Sequence, residues 1–249
     1  MRHDDGFPVL AETDHFEFPP KEDDGTTLIA WGGNLSPGML LSAYEQGVFP
    51  WFSPGEPVLW HSPDPRFVIF PDSLVVSSSM RKVLRQGRFE ISFDREVPAV
   101  IEACASIDRP GQDGTWIGPA IREGYGALAH AGWVHSAEAW QDGELVGGCY
   151  GMRLGRVFYG ESMFARRPNA SKAAFLTLAQ ALFEDGCILI DCQVHTDHLE
   201  SLGGKHIDLS RFLALLAAGD ARRDSPLSRR GSWKDGITAG SGILCRAPS

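Results

Sequence analysis

The chain has 249 residues, of which 43% are hydrophobic and 22% are charged, a composition typical of a folded globular protein. Its formal net charge of −9 argues against the uniformly basic surface that nucleic-acid-binding proteins present. Five cysteines without a C-x-x-C pair indicate neither a disulfide framework nor a zinc site, and no apolar run reaches the ~20 residues of a membrane-spanning helix. We therefore expect a cytoplasmic chain with reduced thiols and one large or two modest domains.

The first 27 residues predict an irregular, acidic lead-in. Eight of the first 24 residues are acidic and only two are basic, and no periodic pattern runs through them. Phe16 and Phe18 are the side chains that we expect to dock this segment on the rest of the protein.

A helix and a proline-rich segment follow the lead-in. Ser36 and Pro37 predict the N-cap and the first position of the helix, and Gly47 predicts its end. The next segment, up to SPDPR, is rich in prolines, and the residue before each proline is biased away from helix. We therefore place a domain boundary near Arg66, so that a small N-terminal domain spans residues 1–66.

Residues 67–219 predict a second domain that mixes helices and strands. The expected elements are a helix at 79–88, a strand at 89–93, helices at 97–106 and 119–131, strands at 133–140, 144–152 and 156–162, a long helix at 169–184 and a strand at 187–194. Asp142-Gly143 is a strong β-hairpin signal, so the three central strands are expected to form an antiparallel meander. The long helix then crosses over to the last strand, which indicates a mixed α/β (α+β) layer. Residues 220–249 lack periodicity and predict a mobile C-terminal tail.

The last predicted strand, CILIDCQV, carries a carboxylate in an otherwise apolar run. Alternate side chains of a strand share a face, so Leu189, Asp191 and Gln193 are expected to point the same way. A buried carboxylate is costly unless a cation, a donor network or water satisfies it. Asp191 with Gln193 is therefore either a pair that performs chemistry or a strand-end polar spot held by backbone donors, and the second is the commoner state of polar groups on strands.

Three collinear blocks of the sequence resemble one known family. They are WGGNLSPGMLLSAYEQGVFPWFS with LWHSPDPR, then GTWI, then LVGGCYG, GRVFYGESMF, NASK and LIDCQV, and they span residues 28–213. The chain resembles leucyl/phenylalanyl-tRNA–protein transferases, and so long a match is far more specific than a lone glycine motif. The resemblance implies a small N-terminal domain followed by an N-acetyltransferase-like domain with a mixed, mostly antiparallel sheet flanked by helices. It also implies transfer of leucine or phenylalanine, and less readily methionine, from aminoacyl-tRNA to proteins with N-terminal Arg or Lys, which marks them for degradation.

The resemblance assigns catalytic and amino-acid-binding roles to particular residues. Asp191 and Gln193 would lie beside the attacking amine, and the acceptor's ammonium would be the cation that Asp191 needs. Selectivity for Leu or Phe calls for an apolar pocket without unpaired polar groups. The implied lining consists of Cys149, Phe158, Phe175, Leu178, Leu182 and Ile190. These residues could equally be ordinary core, and Cys149 is smaller than the side chain expected there, which favours bulkier donors or a neighbour that fills the space.

Candidate contacts with tRNA fall into two groups. Trp51 and Trp116 lie in loops flanked by Gly and Pro, where they could stack on the terminal adenine, although Trp116 could equally plug the edge of the core. The resemblance adds Glu161 at the tRNA-end or acceptor site. A basic track would contact the phosphate backbone despite the acidic net charge. Its residues are Arg66, Arg81, Lys82, Arg85 and Arg88. Three of these arginines fall at i, i+4 and i+7 of the predicted helix 79–88, where repulsion disfavours a purely solvated face.

Two other functions stay open beside aminoacyl transfer. An acyl-CoA N-acetyltransferase would share the implied fold, but such enzymes carry a glycine-rich pyrophosphate loop where this chain has ARRPNASKAAF. A non-catalytic tRNA-binding or degradation-adaptor module is the second alternative. The leading prediction is a monomeric transferase that needs no cofactor and no membrane, with aminoacyl-tRNA and an acceptor protein as partners. His195, His198 and His206 lack accompanying ligands at metal-site spacing, so no metal is assigned.

Overall fold

Two β-sheets and seven α-helices make up the described part of the chain, which covers residues 7–22, 25–107 and 115–225 of the computed structural model. The elements are β1 (Leu28–Trp31), α1 (Pro37–Glu45), β2 (Phe49–Pro50), β3 (Leu59–His61), β4 (Arg66–Ile69), α2 (Ser78–Arg85), β5 (Glu90–Phe93), α3 (Val97–Ser106), α4 (Pro119–His130), β6 (Val134–Gln141), β7 (Glu144–Leu154), β8 (Val157–Ala165), α5 (Ala170–Glu184), β9 (Leu189–Asp191), α6 (Asp197–Glu200), β10 (Lys205–Ile207) and α7 (Leu209–Ala218). The strand order is β1-β3-β2 in the small sheet and β10-β4-β9-β8-β7-β6-β5 in the large one. Within the described ranges, no helix combines the length and the apolar character that crossing a bilayer requires.

The described part of the lead-in is irregular, as predicted, and it docks on α1. The backbone N–H groups of Phe16 and Phe18 donate to the side chains of Ser42 and Gln46 at 2.9 and 3.0 Å. Phe18 is buried and Phe16 packs against the core. The first six residues of the lead-in and residues 23–24 lie outside the described ranges.

The large sheet is mixed and mostly antiparallel, which confirms the predicted fold class. Strands β6, β7 and β8 form the expected meander, and Asp142-Gly143 joins the first two with positive φ at both residues. Helix α5 then crosses over, so that β9 pairs with β8 in parallel. All other neighbouring strands pair antiparallel.

The two faces of the large sheet carry separate apolar clusters. Helices α1, α3, α4 and α7 cover one face, and α2 and α5 cover the other. Neighbouring residues of a strand contribute to different clusters, because successive side chains point to opposite faces. Phe158 and Ile190 therefore face α5, whereas Tyr159 and Leu189 face α1.

Among the predicted segments that end differently in the structure are one helix, one strand and the C-terminal tail. Helix α2 stops at Arg85, because Gly87 takes a φ of 60° just beyond it, so Arg88 does not share the helix face. Strand β9 covers only the middle of the predicted 187–194. The predicted mobile tail is anchored at its start, where Arg223 donates to both carboxylate oxygens of Glu45; residues 226–249 lie outside the described ranges.

Candidate active site

Asp191 ends β9 in the middle of the large sheet, and its side chain is completely buried. The guanidinium of Arg66, at the start of β4, donates to both carboxylate oxygens, at 2.8 Å to Oδ1 and 2.6 Å to Oδ2. Arg66 also donates to the Gly47 carbonyl at 3.1 Å and lies over the rings of Phe49 and Phe212. A buried ion pair needs hydrogen-bond partners for its polar atoms, because either charge alone would cost free energy when removed from water.

The ion pair corrects two predictions. Arg66 is not a contact for the tRNA backbone, because its side chain is 0% exposed. The acceptor's ammonium is not the cation that Asp191 needs, because Arg66 already neutralises the carboxylate. The alternative of a strand-end Asp held by backbone donors is partly right, since the Gln193 N–H donates to Asp191 Oδ1 at 2.9 Å.

Gln193 lies just past the end of β9 rather than on it. Its φ is 57°, in the left-handed region, and its N–H bond to the Asp191 side chain closes an Asx-turn. The predicted common strand face for Asp191 and Gln193 is therefore wrong. The Gln193 side chain amide Nε2 is buried and has no hydrogen-bond partner among the described residues. Because an unsatisfied buried amide costs free energy, Gln193 is the best candidate for a direct contact with a substrate.

The large sheet opens at the end of β9. Strands β8 and β9 pair only as far as Tyr159 and Asp191, whereas β8 continues to Ala165. Beyond Asp191 the chain turns away from β8 at Gln193, while Cys192 and Gln193 stay hydrogen-bonded to Phe67 of β4. Beyond Tyr159, β8 therefore has no strand partner on the β9 side, and the gap between β8 and this turn is here called the opening.

Glu161 lies on β8 immediately beyond this last strand pair. It is the extra residue of a β-bulge, because Gly160 and Ser162 pair with the successive residues Gly151 and Tyr150 of β7. Bulges are common next to active sites, where they redirect a side chain. The bulge thus places Glu161 on the β8 side of the opening and Gln193 on the other.

Two tyrosines from the helical layer hold the Glu161 carboxyl group. The Tyr44 hydroxyl donates to Oε1 at 2.6 Å and the Tyr125 hydroxyl donates to Oε2 at 3.1 Å, and the two hydroxyls contact each other. Burial raises the pKa of Glu161 to about 8, although both hydroxyl donors lower it. Burial also raises the pKa of Tyr44 and of Tyr125 above the usual 10. At neutral pH the Glu161 carboxyl group is therefore largely protonated.

The six predicted pocket residues are all buried in the single apolar cluster on the α5 face. Phe158 and Ile190 are direct partners on β8 and β9. Burial raises the pKa of the Cys149 thiol, so it is neutral and behaves as a small apolar group. The Asp191 carboxylate lies on the opposite face of β9 from this cluster. The backbone of β9 therefore lies between the carboxylate and the predicted pocket residues.

The predicted tRNA contacts are mostly at the surface. Trp51 follows β2 with 44% exposure, while Trp116 is partly buried against the core. The remaining basic-track residues, Arg81, Lys82, Arg85 and Arg88, are all exposed. An exposed stripe of this kind is sterically free to meet a phosphate backbone.

Other sites in the described ranges contain none of the predicted catalytic residues. A surface cavity of about 480 Å³ is lined by Glu144, Leu145, Val146, Arg166 and Arg167. Ligand atoms of His195, Asp197 and Glu200 lie within 4.8 Å of one another, but all three residues are exposed. His195 Nε2 lies 3.0 Å from a carboxylate oxygen of Glu200.

Sequence reasoning missed the partners that shape the site. No sequence signal points to Tyr44 or Tyr125, although their hydroxyls hold Glu161. A usable signal existed for Arg66, since a lone arginine opens the apolar run of β4 and a lone carboxylate interrupts that of β9. Two single opposite charges on buried strands predict a pair.

Comparison with known proteins gives consistent matches along the chain. The family described as leucyl/phenylalanyl-tRNA protein transferase matches residues 68–217, and its N-terminal domain matches residues 33–64. A leucyl/phenylalanyl-tRNA–protein transferase of Myxococcus xanthus (strain DK1622) is 48% identical over 92% of this chain and 97% of its own. A leucyl/phenylalanyl-tRNA–protein transferase of Pseudomonas putida (strain W619) is 52% identical over 82% of this chain and 91% of its own. A solved GCN5-related N-acetyltransferase from Kribbella flavida aligns at 14% identity and a TM-score of 0.35, over 69% of this chain and 61% of its own.

The class of protein that these matches define is an aminoacyltransferase. The two family matches together cover most of the described chain, and the named relatives align with most of its length. The chain belongs to the leucyl/phenylalanyl-tRNA–protein transferase family.

Proposed function

We propose that the chain transfers leucine or phenylalanine, and less readily methionine, from aminoacyl-tRNA to the α-amino group of proteins that begin with Arg or Lys. The product carries a new N-terminal residue that acts as a degradation signal. The observation that carries the proposed site is the buried Gln193 amide without a partner, fixed next to the Arg66–Asp191 pair at the opening of the sheet. The proposed location is the cytoplasm, because aminoacyl-tRNA is a cytoplasmic substrate. The proposed enzyme is a monomer.

The donor's amino-acid side chain is proposed to enter the apolar cluster under α5. Phe175, Leu178 and Leu182 recur along one stripe of α5, opposite Phe158 and Ile190 of the sheet. Burial of one apolar side chain contributes about 1.5–3 kcal/mol, which supports selection of Leu and Phe over polar amino acids. The terminal adenine of the tRNA would stack on Trp51, with Trp116 beside it.

The reaction itself needs little acid–base catalysis. The amine nitrogen attacks the ester carbonyl carbon, a peptide bond forms, the bond to the ribose oxygen breaks, and that oxygen gains the proton that the amine loses. An α-amino group has a pKa of about 7.7–8.0, so roughly a tenth of it is already neutral at pH 7. Holding the two groups together can lower the barrier by about 7–11 kcal/mol, whereas a general base adds about 10²–10⁴-fold. Positioning is thus the larger effect.

Gln193 is the proposed catalytic residue and Asp191 a positioning residue that acts through it. The Asp191 carboxylate fixes the Gln193 backbone, and Arg66 fixes the carboxylate. The Gln193 amide would then hydrogen-bond the attacking amine. Glu161 is the proposed partner of the acceptor's cationic end, because an approaching cation favours the charged form of a carboxyl group whose pKa is otherwise raised.

The test is transfer of radiolabelled leucine from Leu-tRNA to a peptide that begins with Arg, with an otherwise identical peptide that begins with Ala as control. We expect label on the Arg peptide only. Gln193→Ala should lower kcat by about 10²-fold, the low end of what one acid–base or positioning group contributes, without lowering the Tm. Its matched control is Gln180→Ala on α5, because the Gln180 amide oxygen is also buried without a partner among the described residues and none of the proposed catalytic contacts involves it.

Other outcomes would contradict the proposal. Transfer of an acetyl group from acetyl-CoA to the same peptide would identify an N-acetyltransferase instead. Binding of Leu-tRNA without transfer to any peptide would identify a non-catalytic module. A normal kcat of the Gln193→Ala variant would be consistent with the proposed transferase activity but would exclude Gln193 from its mechanism.

A further inference from the structure

The small sheet presents an apolar stripe that its own packing does not explain. Trp31, at the end of β1, is 74% exposed. It is the direct partner of Leu59 on β3, which is partly exposed. On the other side of Leu59 lies Trp51, whose backbone N–H donates to the Leu59 carbonyl at 2.9 Å. The three side chains therefore form a stripe across the sheet, here called the tryptophan stripe.

Strand pairing puts the whole tryptophan stripe on one face. Directly opposed residues of antiparallel strands point to the same side of a sheet. Trp60, next along β3, points to the other side and is buried in the core. Neighbouring strands lie about 4.8 Å apart, so the backbones of Trp31 and Trp51 are roughly 10 Å apart across β3.

One end of the stripe is already fixed in place. The His61 ring packs edge-on against the Trp51 ring, with centroids 6.0 Å apart, and its Nδ1 lies 2.9 Å from the Thr27 hydroxyl. Burial lowers the pKa of His61, so this neighbour is neutral at pH 7. The stripe is thus an uncharged aromatic surface with an ordered indole at one end and an exposed one at the other.

We propose that Trp31 is a second stacking platform for the donor, which takes the nucleotide that precedes the terminal adenosine of the aminoacyl-tRNA. This inference rests on the proposed function, in which Trp51 stacks on the terminal adenine. The 3′ end of a tRNA is an unpaired single strand, and successive unpaired bases stack on aromatic side chains that project from one sheet face. Stacking on an aromatic ring tolerates any base. Trp31, exposed and two strands away from Trp51, can therefore bind this nucleotide without further base-specific contacts.

The test compares three donors that differ only in length: leucyl-adenosine, a leucyl-cytidylyl-adenosine dinucleotide and intact Leu-tRNA. Trp31→Ala is expected to raise KM about fivefold to tenfold for the dinucleotide and for the tRNA, at the low end of measured stacking contributions. KM for leucyl-adenosine and kcat for all three donors are expected to stay at the values of the unchanged chain. Trp31→Phe, which keeps a ring, should recover most of the affinity, whereas Trp31→Leu, which keeps only apolar bulk, should not.

Controls separate the possible failures. Val75→Ala removes another exposed apolar side chain, away from the stripe, and should change no KM. Failure of the proposed function would appear as no transfer from any donor by the unchanged chain. The inference about Trp31 is overturned if the unchanged chain transfers leucine but Trp31→Ala alters no KM, alters KM for all three donors equally, or alters it for the tRNA alone. It is also overturned if the chain sediments as a dimer that Trp31→Ala dissociates, since the stripe would then cover a second copy.

Discussion

The Arg66–Asp191 pair gives the sharpest test of how the site is built. Removing one member leaves the other charge desolvated and unpaired, which costs about 3–5 kcal/mol. Arg66→Met and Asp191→Asn should therefore each lower the Tm by roughly 6–20 °C, because one kcal/mol shifts the Tm of a chain this size by about 2–4 °C. The matched control is Glu90→Ala, which removes an exposed ion pair. Arg95 pairs with Glu90 at 3.3 Å, but both side chains are more than half exposed, so the cost is about 0–1 kcal/mol.

The double variant Arg66→Met/Asp191→Asn separates stability from catalysis. Both charges are gone, so the remaining cost is that of imperfectly paired polar groups, about 1–3 kcal/mol. The double variant should therefore be more stable than either single variant. The amide introduced at position 191 keeps an oxygen that can accept the Gln193 N–H. If Asp191 acts only by positioning Gln193, kcat should stay within about tenfold of the unchanged chain, well inside the effect of losing a catalytic base.

Thermal unfolding and single-turnover transfer from labelled Leu-tRNA give the two readouts. A double variant destabilised by the sum of the single variants would refute the energetic coupling of the pair. Recovered stability with kcat lowered by about 10³-fold or more would refute the positioning role, because the charge itself would then act on the amine. The double variant Arg66→Met/Asp191→Ala offers no acceptor to the Gln193 N–H. Its kcat should therefore fall, whereas that of Arg66→Met/Asp191→Asn should not.

Two further predictions concern the neighbours of this pair. The pKa of Glu161 is raised from 4.5 to about 8 on folding, so its protonated form adds stability that is present below 4.5 and lost as the pH rises through 8. The unfolding free energy of the unchanged chain, relative to Glu161→Gln, should fall across that interval in chemical denaturation, and a flat difference would contradict the raised pKa. Cys149→Met should lower kcat/KM for Phe-tRNA relative to Leu-tRNA by about tenfold, the discrimination that one or two methylenes provide. An unchanged ratio of the two donors would exclude Cys149 from the pocket.

Elements with local signals were predictable from the sequence. Helix α3 lies at the predicted residues 97–106, where a proline in the first turn and apolar spacing agree. The hairpin at Asp142-Gly143 was predictable because those residues tolerate positive φ. In both cases the information lies within a few residues of the element itself.

The partners inside the site were not predictable in the same way. Arg66 and Asp191 are 125 positions apart, and Tyr44 and Glu161 are 117 apart, so no local pattern links them. The end of β9 was missed for a different reason. The apolar run continues through Cys192 and Val194, but the Asp191 side chain accepts from the N–H two residues on. The chain there leaves β8, although its backbone stays hydrogen-bonded to Phe67 of β4.

Contacts between the two parts of the chain determine where the substrates would meet. The carbonyl of Gly47 accepts from Arg66, the carbonyl of Tyr44 accepts from the Tyr159 hydroxyl at 3.0 Å, and the Tyr44 hydroxyl donates to Glu161. Helix α1 and the loop toward Trp51 are therefore tied to the same strands that carry Glu161 and Asp191. In the proposed reaction, Trp51 fixes the tRNA end and Gln193 fixes the amine. Small errors in the distance between amine and ester lower the rate by large factors. These three hydrogen bonds therefore position the two substrate sites relative to each other, as Asp191 positions Gln193.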